Sequence, residues 1–298
     1  MSEQLKQCAI LTMDCLDNFE VSDELLIEPL KQLGWQITMV SWRQQKVNWD
    51  QFQAVIIRSP WDYQDDAEAF LQVLTQIEAS SAHLENSLSV VKWNIDKGYL
   101  QELADKKVAI VPTIWGTSFS EAIIDSAFHQ FNTEHLVIKP RISANADNTF
   151  CLRKDNYPLL TQQLSAVFKE KSFMLQPFMD NIVNEGEYSL FYFNGEYSHA
   201  ILKTPKKDDF RVQEEHGGSL LAITPEVNLK QCADAVIAVT ANIHNMPLYA
   251  RVDFVRSDDS FALMEAELIE PSLYFNMDEL SAQRFAVAFN EKMKSIDA

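Results

Sequence analysis

Arg251, Asp253, Glu265 and Glu267 stand in two runs, YARVDFV and FALMEAEL, that otherwise read as core strands. A buried carboxylate is costly unless it is paired or bound to a metal. Residues two apart in a strand share a face. Arg251 and Asp253 therefore share one face of the first run, and Glu265 and Glu267 one face of the second. RSDDS between them is a turn signal, so the two strands should pair antiparallel. A four-residue turn at 257–260 sets Asp253 opposite Met264; one extra loop residue or a bulge sets it opposite Glu265, where the carboxylates of both strands converge. Three carboxylates beside an arginine suit a hard divalent cation, which takes oxygen ligands, keeps waters and is completed by substrate phosphates. A solvent-facing acidic face is the competing explanation, and spacing alone leaves both open.

The elements that must position these groups fall into three zones. In the first, 1–92, CAILTM, QITMVSW and FQAVIIRS read as strands, SDELLIEPLKQLGW and DAEAFLQVLTQIEA as helices, and LSVV as a short strand. Alternation of this kind means a parallel sheet with helices on both faces. Ligands gather at the carboxyl ends of such strands. That makes Asp14, Asp17, Arg58, Trp61 and Asp62 candidate substrate contacts, with ordinary polar loops as the alternative. In the second zone, 93–178, WNIDKGYLQELADKKV reads as one helix, and the capping-box spacing of Ser118 and Glu121 predicts a helix to about Phe131. The strands AIVPTIW, HLVIKP, TFCLRK and FMLQPF and the helix YPLLTQQLSAVFKE complete a small lid. The third zone, 179–298, opens with a hairpin turning at Asn194-Gly195. A polar loop, a helix, the carboxylate-bearing strand pair and a last helix follow.

Composition narrows the function classes. Acids outnumber bases 43 to 25, and a net charge of -18 argues against a nucleic-acid-binding surface and against an anionic membrane face. The four cysteines, Cys8, Cys15, Cys151 and Cys232, form no C-x-x-C pair and read as reduced thiols of a cytoplasmic protein. The N-terminal apolar run is too short for a signal peptide, and no stretch is long enough to span a bilayer.

NIDKGYL, LVIKP, LQPF, EGEYSLFYFNGE and YARVDF…LMEAELIEPS follow one another in an order and spacing that resembles ATP-grasp ligases over essentially the whole chain. The likeness is to the glutathione-synthetase-like and RimK-like branch, which includes the cyclising enzyme of cycloserine biosynthesis. It implies an α/β fold (α+β overall): an N-terminal parallel-sheet domain at 1–92, a lid at 93–178 and an antiparallel-sheet domain at 179–298. It implies ATP and Mg²⁺, with Mn²⁺ as a substitute, and ADP-forming ligation of a small amino-acid- or peptide-like carboxylate to an amine or similar nucleophile through an acylphosphate. By the same resemblance Lys97 and Lys139 reach the phosphates, and Ser143 opens the phosphate-covering loop SANADN, whose usual glycines are missing. Gln176, Pro177 and Phe178 meet the adenine, Glu187 holds the ribose and Lys203 adds a phosphate cation. Asp253, Glu265 and Glu267 match the magnesium ligands and Arg251 the oxyanion-stabilising arginine. Arg211, His216 and Gly217 read as a substrate loop, with an exposed loop as the alternative, and Arg58 and Asp14 join them as substrate contacts. Glu270 has no assigned role. Relatives of this type lead us to expect a dimer. The glycine-poor loop keeps two alternatives in view: an inactive nucleotide-binding module on the same scaffold, and a small-molecule kinase.

Overall fold

The computed structural model describes residues 5–17, 19–143, 148–207, 209, 211–212 and 217–296. Near the N-terminus, β1 (Lys6–Thr12), β2 (Trp35–Ser41), β3 (Ala54–Ser59) and β4 (His83–Glu85) form a parallel sheet in the order β2-β1-β3-β4. β1 and β3 are almost entirely buried apolar runs, as strands covered on both faces must be. The connecting helices are α1 (Ile27–Gln32) and α2 (Ala67–Glu78), the latter capped by the Asp66 side chain accepting from the Ala69 amide.

LSVV is not a strand. It opens α3 (Leu88–Asn94), capped by the Ser87 hydroxyl accepting from the Val90 amide. Nor do residues 93–108 form one helix. The Asp96 side chain accepts from the Gly98 amide at 2.8 Å and breaks the run before α4 (Tyr99–Asp105). Both helices pack on the core of the last sheet, where Val90, Tyr99, Leu100 and Leu103 meet Leu229, Val236 and Val252.

The small sheet has the order β5-β8-β6-β7, all antiparallel, from β5 (Ile114–Gly116), β6 (His135–Pro140), β7 (Phe150–Arg153) and β8 (Phe173–Pro177). Against it lie α5 (Glu121–Phe131) and α6 (Thr161–Phe168), and it has its own core around Phe128, Phe168 and Phe173. The capping box is not built: α5 starts after Ser120, whose side chain caps nothing.

After the short α7 (Asn181–Asn184), β9 (Glu187–Phe193), β10 (Glu196–Thr204), β11 (Ser219–Ile223), β12 (Tyr249–Ser257) and β13 (Ser260–Glu267) make an antiparallel sheet, ordered β11-β10-β9-β12-β13. The turn between β9 and β10 places Asn194 and Gly195 at φ 49° and 86°, the left-handed pair that Asn-Gly predicts for a two-residue hairpin. One face of this sheet carries α8 (Val227–Ile243); toward one end of the other, Phe191, Phe193 and Tyr249 pack with α9 (Ser281–Ile296) and the parallel sheet. The rest of that second face is polar, and the site lies there.

Candidate active site

β12 and β13 pair through a bulge. Ser257 lies opposite Ser260 and Phe254 opposite Leu263, then Met264 is the extra residue and Asp253 falls opposite Glu265, with Arg251 opposite Glu267. The bulge thus settles the register in favour of convergence. On the neighbouring strands Ser189 is opposite Asp253, and Glu187 is opposite Lys203. Seven polar side chains from four strands thereby share one face.

β13 is the outer strand of this sheet, and its free side is closed by side chains of the broken helix. Asn94 donates to the Ala266 carbonyl at 2.8 Å and accepts from the Leu268 amide at 2.9 Å. The Tyr99 hydroxyl accepts from the Ala266 amide at 2.8 Å. Further along, Leu263 exchanges backbone hydrogen bonds with Ala109 and Val111. The edge groups of Leu263, Ala266 and Leu268 are thereby satisfied, so the two glutamates are held from both sides.

The face lines a cleft of about 260 Å³, shared with the small sheet and the parallel sheet. Lys139 on β6, Gln176 and Pro177 on β8, and Phe178 enter from one side; Trp61, Tyr63 and Gln64 enter from the other. Lys97, seven per cent exposed, projects from the break between α3 and α4. Its ammonium lies 3.0 Å from Glu265 and donates to the Ser143 carbonyl at 2.5 Å.

Among the described residues most of these charges are neutralised by direct partners. Arg251 donates to both oxygens of Asp253 at 3.1 Å and to Glu267. Lys203 lies 2.7 Å from Glu187 and 3.6 Å from Asp253. Burial opposes charge on Lys203, yet Asp253 and Glu187 hold its pKa above the ordinary lysine value. Burial likewise works against Asp253, but Arg251, Lys203 and the Ser189 hydroxyl bring its pKa below the usual range. Glu267 is pushed up to about 7, by burial first, with Arg251 pulling the other way. Glu270 is pushed up to about 8, by burial and then by the neighbouring Glu267 charge. Burial and the Lys97 charge push Lys139 down, and among the described residues it has no ion pair of its own.

The oxygen donors are the right chemistry for a hard cation, but no three His, Cys, Asp or Glu among the described residues are gathered as a ready cage. Each carboxylate of the proposed metal set is turned toward a lysine or an arginine. A metal would have to replace those partners.

Other candidates from the sequence are scattered more widely. Gln176 is used in part to bond Thr113, at 3.0 Å, and the Phe178 amide donates to the His135 carbonyl. Arg211 reaches the cleft while paired to Asp209. Arg58 is not brought to the cleft. It is one per cent exposed, bound to Asp23 at 3.1 Å and to the Pro271 carbonyl at 2.7 Å. Asp14 is exposed, accepts from Ser41 at 2.5 Å and lies off the cleft, as does Gly217. Asp17 is exposed, and Asp62 binds Trp42 and Arg43. His216 and residues 144–147 of the phosphate-loop segment lie outside the described residues. Asn94, Tyr63 and Gln64 were not anticipated; the first begins NIDK, and only its place in that motif could have signalled it.

Residues 8–86 match the family model of the N-terminal domain of D-cycloserine synthetase DcsG. Over 292 residues the chain is 27% identical to the cycloserine biosynthesis protein DcsG of Streptomyces lavendulae, covering 90% of this chain and 93% of that protein. A crystal structure of D-cycloserine synthetase DcsG superposes with a TM-score of 0.85 at 25% identity, over 96% of this chain and 99% of the other. The ATP-grasp ligase PsnB, complexed with a variant of its minimal precursor, Mg and ADP, gives a TM-score of 0.67 at 13% identity, over 97% and 99% of the two chains.

Proposed function

We propose that this chain, an ATP-grasp ligase, uses Mg-ATP to convert a small-molecule carboxylate to an acylphosphate. It then passes the acyl group to an amine or similar nucleophile, releasing ADP and phosphate. The observation that carries this reading is the convergence, in one cleft, of Lys97 and Lys139 with the face of Asp253, Glu265 and Glu267. Cations that suit phosphates and carboxylates that suit a hard metal meet there, and no Ser-His or Cys-His nucleophile is needed for the chemistry.

In this reading Asp253, Glu265 and Glu267 would hold Mg²⁺, which when bound neutralises phosphate charge. Lys97 and Lys139 hold the phosphate oxygens, and Lys139 exchanges a desolvated ammonium for a paired one. Gln176, Pro177 and Phe178 form the adenine side of the cleft, with Glu187 toward the ribose. Arg251 is fixed by its two carboxylate partners and offers positive charge where the tetrahedral intermediate becomes anionic. The units 1–92, 93–178 and 179–298 then act as substrate domain, lid and metal-bearing domain. The likeness to a D-cycloserine synthetase supports a substrate derived from an amino acid.

The test is Mg-ATP titration by calorimetry, wild type against the double variant Glu265→Gln/Glu267→Gln. Micromolar binding by wild type, with loss of magnesium dependence in the variant, is expected. If the variant keeps the full magnesium dependence, the metal assignment is wrong; if wild type fails to bind ATP at all, so is the ligase reading. ADP release that depends on both a carboxylate and an amine separates a ligase from a kinase, which would leave a phosphorylated product.

A further inference from the structure

Among the buried and half-buried carboxylates of the cleft, one is treated differently from the rest. Among the described residues, Glu265, Glu267, Asp253 and Glu187 each face a lysine or arginine, whereas no cation lies within 4.0 Å of the half-buried Glu270. Its backbone is pinned, because the Trp61 indole donates to the Glu270 carbonyl at 2.8 Å. The buried Tyr63 hydroxyl lies against its carboxyl. Trp61 in turn packs against Phe19, with ring centroids 5.2 Å apart. An acid is therefore held at the parallel-sheet side of the cleft, among aromatic rings. Beside it in the lining, the Nε2 of Gln64 is buried and has no hydrogen-bond partner. A fixed carboxylate, aromatic walls and an unused amide donor form a receptor for an ammonium group on a molecule that also carries an oxygen acceptor.

We propose that Glu270, with Trp61 and Tyr63, is the subsite that binds the substrate's amine, and that Gln64 donates to an oxygen of the same molecule. This rests on the ligase reading for its purpose but not for its chemistry. Carboxylate–ammonium hydrogen bonds are among the stronger polar contacts, and an aromatic face adds attraction for a cation. With no cation beside it the half-buried acid keeps its proton, and an arriving ammonium offsets the cost of ionising it. Glu270 is a specificity-determining residue in this account, and the acyl-transfer groups on β12 and β13 are separate from it.

The full chain is titrated by calorimetry, without nucleotide, with D-serine, L-serine and 3-hydroxypropionate, the last lacking only the amine. The wild type should bind at least one serine enantiomer tenfold or more tightly than 3-hydroxypropionate. Glu270→Gln should bring the two within about threefold, leaving 3-hydroxypropionate unchanged. Tyr63→Phe, which removes only the hydroxyl beside the carboxyl, should give a partial loss and stands in if Glu270→Gln fails to fold. A preference for the amine that survives Glu270→Gln overturns the subsite. So does a wild type that shows no preference, or one whose preference is abolished instead by Glu20→Gln, the exposed carboxylate nearby in the lining. Mg-ATP is titrated separately: a wild type that prefers the amine yet ignores Mg-ATP retains the subsite and loses the ligase reading.

Discussion

Asn94→Asp isolates the way β13 is held. Asn94 is eight per cent exposed and serves two buried backbone groups of β13 and its continuation, donating to Ala266 and accepting from Leu268. Aspartate keeps the acceptor and the shape. It can keep the donor only as the neutral acid. Starting from an ordinary carboxyl pKa of about 3.9, holding the proton costs about 1.36 kcal/mol per pH unit, so about 4 kcal/mol at pH 7 and about 2 kcal/mol at pH 5.5. Ionising instead sets an anion 2.8 Å from a carbonyl oxygen and near Glu265 and Glu267, and leaves the Ala266 carbonyl without its donor, at about 1–3 kcal/mol for that group alone. The variant should therefore be less stable than wild type by roughly 3–4 kcal/mol at pH 7, and the gap should narrow by about 2 kcal/mol at pH 5.5. Urea unfolding followed by tryptophan fluorescence, with both proteins at both pH values, reads this directly. A loss under about 1 kcal/mol at pH 7, or one independent of pH, would refute the claim that this side chain bridges the strand edge.

Lys203→Met should leave Glu187 buried with no cation and lower stability by about 3–5 kcal/mol, while Lys203→Met/Glu187→Leu should recover much of it; thermal melts of both variants decide. Arg58→Met removes the partner of the buried Asp23 and the donor to Pro271, so stability should fall by about 3 kcal/mol with the Mg-ATP affinity changed less than threefold. A tenfold loss of affinity would restore Arg58 as a ligand contact. Two groups set opposite pH trends in the free protein. Burial lowers His199 from 6.5 to about 4, despite its bond to the Leu273 carbonyl, so its contribution is lost as pH falls through that window. Glu270 is raised from 4.5 to about 8, so the folded form holds a proton the unfolded chain has released, and stability is lost as pH rises toward 8. Between pH 6.5 and 8 the histidine no longer contributes to the pH trend while Glu270 and the likewise raised Glu267 do, and the melting temperature should fall there in wild type and fall less in Glu270→Gln.

Much of the fold was legible because periodicity and turn chemistry are local. β1 and β3 are built on the apolar runs CAIL and AVII, Asn194-Gly195 names its own turn, and α5 ends at Phe131 as its pattern predicts. LSVV was misread because its valines favour strands in isolation, while Ser87 caps a helix there whose Val90 and Val91 are buried. The face of four charged groups was readable from alternation, but the bulge at Met264 was not: a bulge needs no special residue, and only the partner strand reveals the extra one. Arg58 and Asp14 failed for a related reason. Sitting at the carboxyl end of a strand says which end of the sheet a residue occupies, and not whether its side chain turns to the cleft, to Asp23 or to Ser41. Glu270 had no assignment because its meaning lies in the missing cation, which no motif states.

The paired arrangement of the cleft also bears on how a nucleotide arrives. Glu187, Asp253, Glu265 and Glu267 are matched by Lys97, Lys139, Lys203 and Arg251, so their formal charges cancel and the net charge of -18 belongs to the remainder of the chain. Seen from a distance the molecule repels an anion, and the lysines are felt only within about 8 Å at physiological salt. The long-range field therefore works against encounter instead of steering it, the reverse of a basic pocket on a basic surface. Moderate salt should hasten the arrival of an anionic ligand by screening that outer repulsion, while the inner contacts, shielded from solvent ions, determine how long it stays.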